Sequence, residues 1–317
     1  MSAYKSMKTL IIGGAGFIGS VLVKRILQDS ADIIVIDKLS LGSADYIDTT
    51  KVEFHKIDIN NTEQVLEVLQ GKQIDEVWHL AANSDIPAGV EDMNVDLDDT
   101  FMSTVSTLKI MKAIECKKLY FASSSAVYGF NENRLHEDIG PLMPISNYGA
   151  MKLSSEALIS ASLEFFLDKV CIYRFPNVVG VPATHGVILD FVNKLKKNMS
   201  VLEVLGNGMQ QKTYLHVSEL VEAMLFINNN TDNGMNYFNI GAMDDGVFVK
   251  QIAEETTKVI SPDAKIYYQK TDRGWVGDVP RFYYSVDKLK DLGWSPKMSS
   301  LEAVQRAVRE IASQEDS

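Results

Sequence analysis

The feature that most constrains this 317-residue chain is a glycine-rich turn near its amino terminus. The segment Gly13-Gly14-Ala15-Gly16-Phe17-Ile18-Gly19 follows the apolar run at 7–12 and opens an amphipathic stretch at 17–28. The glycines therefore fall where a strand turns into a helix, and the amide groups at such a helix start bind a pyrophosphate. The same spacing also fits close helix–strand packing without a ligand, so the interpretation needs a second signal.

An acidic residue at the end of the next apolar run supplies that signal. The run Asp32-Ile33-Ile34-Val35-Ile36-Asp37 ends about 20 residues beyond the glycines, where a carboxylate binds the ribose diol of a dinucleotide. Asp37 would repel a 2'-phosphate and therefore predicts NAD rather than NADP. Lys38 is a weaker sign in the opposite direction, because NADP sites prefer a guanidinium to an ammonium.

A second pattern, far downstream, predicts chemistry on an alcohol. Tyr148 and Lys152 are spaced i and i+4 on one helix face, where the ammonium is expected to lower the pKa of the phenol and make it a base. Ser124 ends a buried strand, and its hydroxyl is expected to share the proton with Tyr148. As structural alternatives, Tyr148 and Lys152 could form a surface contact, and Ser124 could lie in an ordinary turn. The glycine turn argues against both alternatives.

The order of strand and helix patterns predicts the fold class. Strands are expected near 8–13, 32–37, 51–57, 74–80, 118–123 and 169–175, and helices near 17–28, 62–70, 94–115 and 148–167. This alternation predicts an α/β fold, a Rossmann-type doubly wound parallel sheet with a smaller C-terminal substrate-binding lobe. We expect an NAD-binding domain of 1–175 plus about 213–240, and a smaller lobe of about 176–212 plus 241–317, which the family resemblance given below implies to be nucleotide-sugar-binding.

Composition excludes several classes of function. The formal net charge of -11 disfavours a nucleic-acid or anionic-membrane partner, and 46% apolar residues allow a large core. No apolar run reaches the roughly 20 residues that span a bilayer, and 1–8 lacks a secretory apolar region, so a cytoplasmic protein is expected. Cys116 and Cys171 lack metal-ligand spacing and are expected to be reduced, structural thiols, with no metal bound.

The ordered motifs resemble those of the extended short-chain dehydrogenases/reductases, in the NAD-dependent nucleotide-sugar epimerase/dehydratase group, over nearly the whole chain. Besides the glycine turn, Asp37 and Tyr148-x-x-x-Lys152, the resemblance rests on Asp58-Ile59, His79-Leu80-Ala81-Ala82, Ala122-Ser123-Ser124-Ser125-Ala126-Val127-Tyr128-Gly129, Arg174-Phe175-Pro176-Asn177-Val178-Val179-Gly180 and Gly277-Asp278-Val279.

The resemblance implies a set of site residues. Catalysis is assigned to Ser124, Tyr148 and Lys152. Cofactor contacts are assigned to Gly13, Gly16, Phe17, Ile18, Gly19, Asp37, Lys38, Asp58, Ile59, Leu80, Ala81, Ala82, Ser103, Ser123, Tyr148, Lys152 and Pro176. Contacts to a nucleotide-diphosphate sugar are assigned to Ser84, Ser124, Asn177, Val187, Glu203, Leu205, Lys212, Arg273 and Asp278, with Arg281 a rival to Arg273. Relatives also pair two helices, here near 94–115 and 148–167, into a four-helix homodimer interface.

Departures from the family pattern help to choose the reaction. In 4,6-dehydratases an Asp-Glu pair follows the position of Ser124, whereas Ser125 and Ala126 stand here, so no acid is available for elimination. Lys212 replaces the usual arginine, and Ser103 replaces an asparagine near the nicotinamide. We expect an epimerase acting at C4 of a hexose nucleotide. The alternatives are a dehydrogenase or ketoreductase that releases a keto sugar, then a 4,6-dehydratase and, in a different class, a non-catalytic cofactor-sensing scaffold.

Overall fold

The computed structural model describes residues 7–29, 32–131, 134–271 and 284–314, and the chain divides into two compact units. Unit 1 comprises 1–127, 146–174 and 224–238, and unit 2 comprises 128–145, 175–223 and 239–317. That the first predicted domain binds NAD and the second binds a nucleotide sugar stays a prediction.

The strands and helices of the described residues have the following bounds. The strands are β1 Lys8–Ile12, β2 Asp32–Asp37, β3 Glu53–Lys56, β4 Glu76–His79, β5 Lys118–Ala122, β6 Lys169–Arg174, β7 Asn177–Val179, β8 Val201–Val204, β9 Gln211–Lys212, β10 Tyr214–His216, β11 Gly234–Asn239, β12 Val247–Phe248 and β13 Lys265–Tyr268. The α-helices are α1 Phe17–Leu27, α2 Thr62–Leu69, α3 Ile86–Glu91, α4 Met93–Asp96, α5 Ser103–Ala113, α6 Asn147–Leu163, α7 Val187–Lys197, α8 Val217–Asn229, α9 Val249–Ile260, α10 Asp287–Leu292 and α11 Ser300–Ala312. Short 3₁₀ turns span Ala44–Tyr46 and Ser125–Tyr128, and a π-helical segment spans Leu97–Met102.

Unit 1 is built on a seven-stranded sheet in the order β11-β6-β5-β4-β1-β2-β3. The pairs from β6 to β3 are all parallel. The central strands β1 and β2 are near-continuous aliphatic runs because helices cover both faces of such a sheet. The predicted α/β fold with a Rossmann-type doubly wound sheet is confirmed.

One face of this sheet packs against α2, α5 and α6. Its core contains buried aliphatic side chains from strands and helices, including Leu10, Ile34, Val77, Phe121, Val65, Met111 and Ile159. Both cysteines are buried and form no disulfide, and their reduced state stays a prediction. This packing fixes the ends of β1, β4 and β5, from which the candidate site residues extend.

The region 94–115 differs from the single helix expected there. It comprises α4, the π segment (Leu97–Met102) and α5. The hydroxyl of Ser103 donates to the carbonyl oxygens of Asp99 and Thr100, at 2.8 and 3.0 Å, and that of Thr104 donates to Thr100 at 3.0 Å. Such hydroxyls compete for the carbonyls of the preceding turn, a common setting for an irregular helical turn.

Unit 2 contains three strand pairs and a separate core. β7 pairs with β10 and β8 with β13, both in parallel, whereas β9 and β12 are antiparallel. Helices α7, α9 and α11 contribute buried residues to this core, including Phe191, Val192, Ile252, Val304 and Val308. A capping box formed by Ser299 and Glu302 fixes the start of α11.

Candidate active site

The glycine turn joins β1 to α1 through close backbone contacts. Gly13 has a φ of +80°, and a Cβ on it would lie 2.6 Å from the backbone nitrogen of Ala81. A Cβ on Gly19 would lie 2.1 Å from the carbonyl oxygen of Gly13. Both positions therefore require glycine. Gly16 differs, because a Cβ there would meet only that same carbonyl oxygen, at 3.4 Å, among the described residues.

The amide groups at the start of α1 are left for an external acceptor. Gly16 is the N-cap residue and Phe17 and Ile18 begin the first turn, in which the described part of the chain provides neither a side-chain cap nor an acidic residue. Unpaired amides at a helix start attract anions, and glycine at the cap lets an anion approach closely. The turn therefore fits a pyrophosphate.

Asp37 ends β2, and two backbone amides hold its carboxylate against the glycine turn. The amide of Ala15 donates to Oδ2 at 2.9 Å, and the amide of Leu39 donates to Oδ1 at 2.8 Å. Burial raises the pKa of the Asp37 carboxyl, against the opposite effect of these hydrogen bonds and of Lys38. The carboxylate is thereby fixed in the position expected of a ribose ligand.

Lys38 and Asp58, both predicted to contact the cofactor, are bound to each other and to a third residue. The Nζ of Lys38 lies 2.5 Å from Oδ1 of Asp99 and 3.6 Å from Oδ2 of Asp58. Ile59, beside Asp58, is buried. Asp99 belongs to the π segment and was not expected at this site.

The segment after β4 runs beside the glycine turn. The amides of Leu80 and Ala81 both donate to the carbonyl oxygen of Ile12, at 2.9 and 3.1 Å. Ala82 and Ser84 are half-buried. The structure thus brings this segment together with Gly13, as the predicted cofactor site requires.

Ser103 is placed differently from a free cofactor ligand. It is almost fully buried at the start of α5, and its hydroxyl donates to Asp99 and Thr100 of its own helical region. The Ser103 hydroxyl is therefore already hydrogen-bonded within its own helical region, at the position where relatives carry an asparagine near the nicotinamide.

Ser124 and Tyr148 meet beyond the end of β5. Ser124 accepts a hydrogen bond from the amide of Ala126 at 3.1 Å, and its hydroxyl is near enough to the Tyr148 hydroxyl to act to lower the pKa of that phenol. Tyr148 lies in the first turn of α6, which begins after Ser146 because the Ser146 hydroxyl accepts from the amide of Gly149 at 3.1 Å. The expected serine–tyrosine pair is present.

The expected lowering of the Tyr148 pKa is wrong for this structure. Burial raises the pKa of Tyr148 to about 12, against the opposite effect of the hydrogen bond with Ser124. The Nζ of Lys152 lies 5.8 Å from the centroid of the Tyr148 ring and donates to the carbonyl oxygen of Ala122 at 2.6 Å. Desolvation of the phenol is therefore the largest influence on its pKa, and the charge of Asp96 adds to it.

The Lys152 ammonium is itself buried. Burial lowers the pKa of Lys152 to about 7, while the carboxylates of Glu156 and Asp96 raise it. Its Nζ also lies 4.7 Å from the centroid of the Phe121 ring. A small change in local charge can therefore switch this lysine between its two protonation states near neutral pH.

Glu156 was missed by the sequence analysis and anchors the serine-rich strand end. Its carboxylate accepts the Ser123 hydroxyl and three bonds from the Arg174 guanidinium, at 3.0 and 3.2 Å from Nε and 2.6 Å from Nη2. All of these groups are buried. The i,i+4 spacing of Glu156 after Lys152 was the available signal, since it puts both side chains on one face of α6.

Asp96 was also missed. Its Oδ1 accepts from the Asn83 amide at 2.8 Å, whereas its buried Oδ2 has no hydrogen-bond partner within the described ranges. That oxygen lies over Gly89, where a Cβ would approach it to 1.9 Å. Burial raises the pKa of the Asp96 carboxyl, and its charge raises the pKa values of Tyr148 and Lys152. No sequence signal marked it, because 94–115 looked like one regular helix.

The residues of unit 1 fit a nicotinamide dinucleotide at both ends. The start of α1, which has no side-chain cap and no acid in its first turn, suits the pyrophosphate, and the fixed carboxylate of Asp37 suits the ribose diol. The Ser124–Tyr148 pair with Lys152 can exchange a proton with an alcohol. Together these groups can carry out reversible oxidation of a hydroxyl group.

Asn177 and Lys212 belong to unit 2, where backbone pairing brings their segments together. Asn177 starts β7, and its Nδ2 donates to the carbonyl oxygen of Thr213 at 3.3 Å. Lys212, the neighbour of Thr213, lies opposite Val247 in the β9–β12 pair. Pro176 precedes Asn177 and is half-buried.

The other substrate candidates of unit 2 lie on α7 and around β8. Val187 begins α7 after Gly186, which has a φ of +106°. Glu203 is exposed on β8, and Leu205 follows it with its side chain exposed. Arg273, Asp278 and the rival Arg281 lie outside the described residues.

Among residues 7–29, 32–131, 134–271 and 284–314, no three histidine, cysteine or acidic side chains converge in a way that could hold a metal ion. Within the same ranges no helix is long and apolar enough to cross a membrane.

Known proteins resemble the chain over nearly its full length. Residues 9–241 match the NAD dependent epimerase/dehydratase family. A UDP-glucose 4-epimerase of Lactobacillus helveticus is 29% identical over 318 residues, covering 94% of this chain and 94% of that protein.

Solved structures agree in fold. A crystal structure of a UDP-galactose 4-epimerase shares 32% identity, with a TM-score of 0.86, and the match covers 96% of this chain and 99% of that one. The UDP-glucose 4-epimerase of Thermus thermophilus, in complex with NAD, shares 25% identity, with a TM-score of 0.85 and coverage of 97% and 99%.

Proposed function

Because the chain belongs to the NAD-dependent epimerase/dehydratase family, we propose that it is a nucleotide-sugar epimerase that inverts C4 of a hexose attached to UDP. NAD is the cofactor. The observation that carries the proposal is the pairing of Ser124 with Tyr148 beside the buried Lys152, together with Ser125 and Ala126 in place of acids after Ser124. The choice of UDP is supported by the names of the similar epimerases.

In the proposed chemistry, oxidation of the sugar removes a hydride from C4 and a proton from the C4 hydroxyl. When bound, NAD accepts the hydride from C4 and, in its oxidised form, adds a positive charge that lowers the pKa of a nearby phenol. Tyr148 takes the proton of the C4 hydroxyl, and Ser124 shares that proton through its hydrogen bond. A ketone at C4 results, and the same two residues return the proton when the hydride is returned to the opposite face.

Lys152 and Glu156 hold this pair in place. Lys152 donates to the Ala122 carbonyl, and Glu156 accepts the hydroxyl of Ser123, so α6 is bound to the strand end at the two residues before Ser124. Because Arg174 fixes Glu156, the position of Ser124 does not depend on a mobile side chain. We propose that unit 1 binds NAD and that unit 2 supplies nucleotide-sugar contacts, including Asn177 and Lys212.

The assay that tests the function uses the purified protein and a panel of UDP-, GDP-, dTDP- and CDP-hexoses, with products identified by NMR. We expect interconversion of a pair of C4 epimers with a UDP-sugar and its loss in Tyr148→Phe. A keto sugar as the sole product, or no turnover of any UDP-sugar, would refute the proposal.

We also propose a homodimer through the helices near 94–115 and 148–167. Phe101, Val105 and Met151 of these helices are only partly buried in one chain, and a second copy would cover them. Sedimentation velocity is expected to give the mass of two chains, and Val105→Glu is expected to give one. The cytoplasmic location predicted from the sequence remains a prediction.

A further inference from the structure

Lys38 is the one residue of the cofactor site whose charge argues for NADP. It follows Asp37, the proposed ribose ligand, so a free ammonium at this position would be available to a 2'-phosphate. The structure pairs that ammonium with two carboxylates instead, Asp99 at 2.5 Å and Asp58 at 3.6 Å. Burial acts to lower the pKa of Lys38, but these carboxylates outweigh it and raise the pKa, so the ion pairs persist at neutral pH.

Asp99 is held in place by contacts that do not involve Lys38. The amide of the Asn60 side chain donates to the carbonyl oxygen of Asp98 at 3.1 Å, and the hydroxyl of Ser106 donates to Oδ1 of Asn60 at 2.9 Å. These two bonds fix the π segment and α5 to the turn after β3. Asp99 therefore meets Lys38 as part of a rigid neighbour, and the pair is not a chance contact of two free side chains.

We propose that Asp99, assisted by Asp58, selects NAD over NADP by holding the Lys38 ammonium in ion pairs and away from the 2' position of the adenosine ribose. Asp37 repels a 2'-phosphate directly, and Asp99 acts through Lys38 as a positioning residue. The inference deepens the proposed function and rests on it only in placing the adenosine ribose at Asp37.

The test compares the dissociation constants of NAD and NADP by calorimetry. Asp99→Asn keeps the shape of the side chain but releases Lys38, and NADP is expected to bind about fivefold more tightly, the factor for an ion pair worth about 1 kcal/mol. The affinity for NAD is expected to change less than twofold, so the ratio of the NADP dissociation constant to the NAD dissociation constant falls. A merely structural role would weaken both dinucleotides together.

Two controls identify the cause. Asp98→Asn removes the same charge from the adjacent, exposed residue, and it is expected to leave the ratio unchanged. In the double variant Lys38→Met/Asp99→Asn the gain in NADP affinity is expected to vanish, because no ammonium remains to be released. Asp58→Asn is a second route to the same effect, expected to be smaller because its oxygen lies farther from Nζ.

An unchanged ratio in both Asp99→Asn and Asp58→Asn would overturn the proposal. An equal gain in Asp98→Asn would also overturn it, as would a gain that survives removal of Lys38. The proposed function fails by a different result, namely absence of C4 epimerase turnover in the unaltered protein, so the two failures are distinguishable.

Discussion

At the scale of single residues, desolvation sets the chemistry of the candidate site. Lys152 is buried and Tyr148 half-buried, and desolvation raises the pKa of the phenol to about 12 and lowers that of the ammonium to about 7. A phenol in this state holds its proton until positive charge approaches. Proton transfer is therefore expected to depend on the bound, oxidised cofactor.

Replacing Tyr148 tests its role as the proton acceptor. Tyr148→Phe keeps the ring and removes only the hydroxyl, so folding and NAD affinity are expected to stay close to normal. Turnover is expected to fall by roughly 10²–10⁴-fold, the usual contribution of a proton-transfer group. Steady-state kinetics with the true substrate checks this, and near-normal turnover would remove Tyr148 from the mechanism.

The buried ammonium of Lys152 predicts a pH dependence of stability in the protein without dinucleotide. Between the folded pKa of about 7 and the ordinary lysine pKa of 10.5, the unfolded chain binds a proton that the folded chain lacks. This group therefore makes the free energy of unfolding rise with pH across that window, and its full penalty is present below it.

Lys152→Met removes that penalty. Its free energy of unfolding relative to wild type is expected to be more favourable at pH 6 than at pH 9 by roughly 2 kcal/mol, because each pKa unit is worth up to about 1.4 kcal/mol. Urea denaturation at both pH values measures it, with the exposed Lys109→Met as a control expected to show no such difference. An equal effect of Lys152→Met at both pH values would contradict this role of burial.

At the scale of elements, the sequence predicted most of the framework because each strand is a short aliphatic run and each helix has one apolar face. The strands from β1 to β6 and the glycine turn follow from such local patterns. The π segment did not, because it depends on competing hydroxyl bonds, and β11 did not, because its sequence is mixed polar and apolar and shows no aliphatic run. Asp96 and Glu156 were missed since their importance lies in burial and tertiary partners.

The glycine turn gives a prediction at this scale, because its positions differ in the space around them. In Gly19→Ala the new Cβ would strike the fixed carbonyl of Gly13, and the free energy of unfolding is expected to fall by about 1–3 kcal/mol. In Gly16→Ala the Cβ has room within the protein but occupies the approach to the α1 amides. NAD affinity is then expected to fall roughly tenfold with little loss of stability.

Thermal unfolding and calorimetry with NAD separate these two effects. Gly140→Ala is the matched control, because a Cβ there meets nothing within 4 Å among the described residues. Unchanged NAD binding by Gly16→Ala would show that the pyrophosphate does not lie at the start of α1.

At the scale of the whole molecule, the proposed reaction is a closed redox cycle. Unit 1 carries the groups that can oxidise a hydroxyl and those that fit NAD, and after Ser124 the chain has Ser125 and Ala126 where a dehydratase needs acids. With no acid in place for elimination, the proposed epimerase returns the hydride to the ketone at C4, whereas a dehydrogenase would release the keto sugar. The cofactor of the epimerase is then unchanged after each turnover.

The most direct test of this cycle is the reaction in deuterium oxide with the UDP-sugar that supports turnover, followed by NADH absorbance, NMR and mass spectrometry. We expect the C4 epimer, no accumulation of NADH, and no solvent deuterium at C4, C5 or C6, because the hydride returns directly. One NADH formed per keto sugar would indicate a dehydrogenase. A 4-keto-6-deoxy product carrying solvent deuterium would contradict the closed cycle most severely. Its formation requires elimination, for which Ser125 and Ala126 provide no acid.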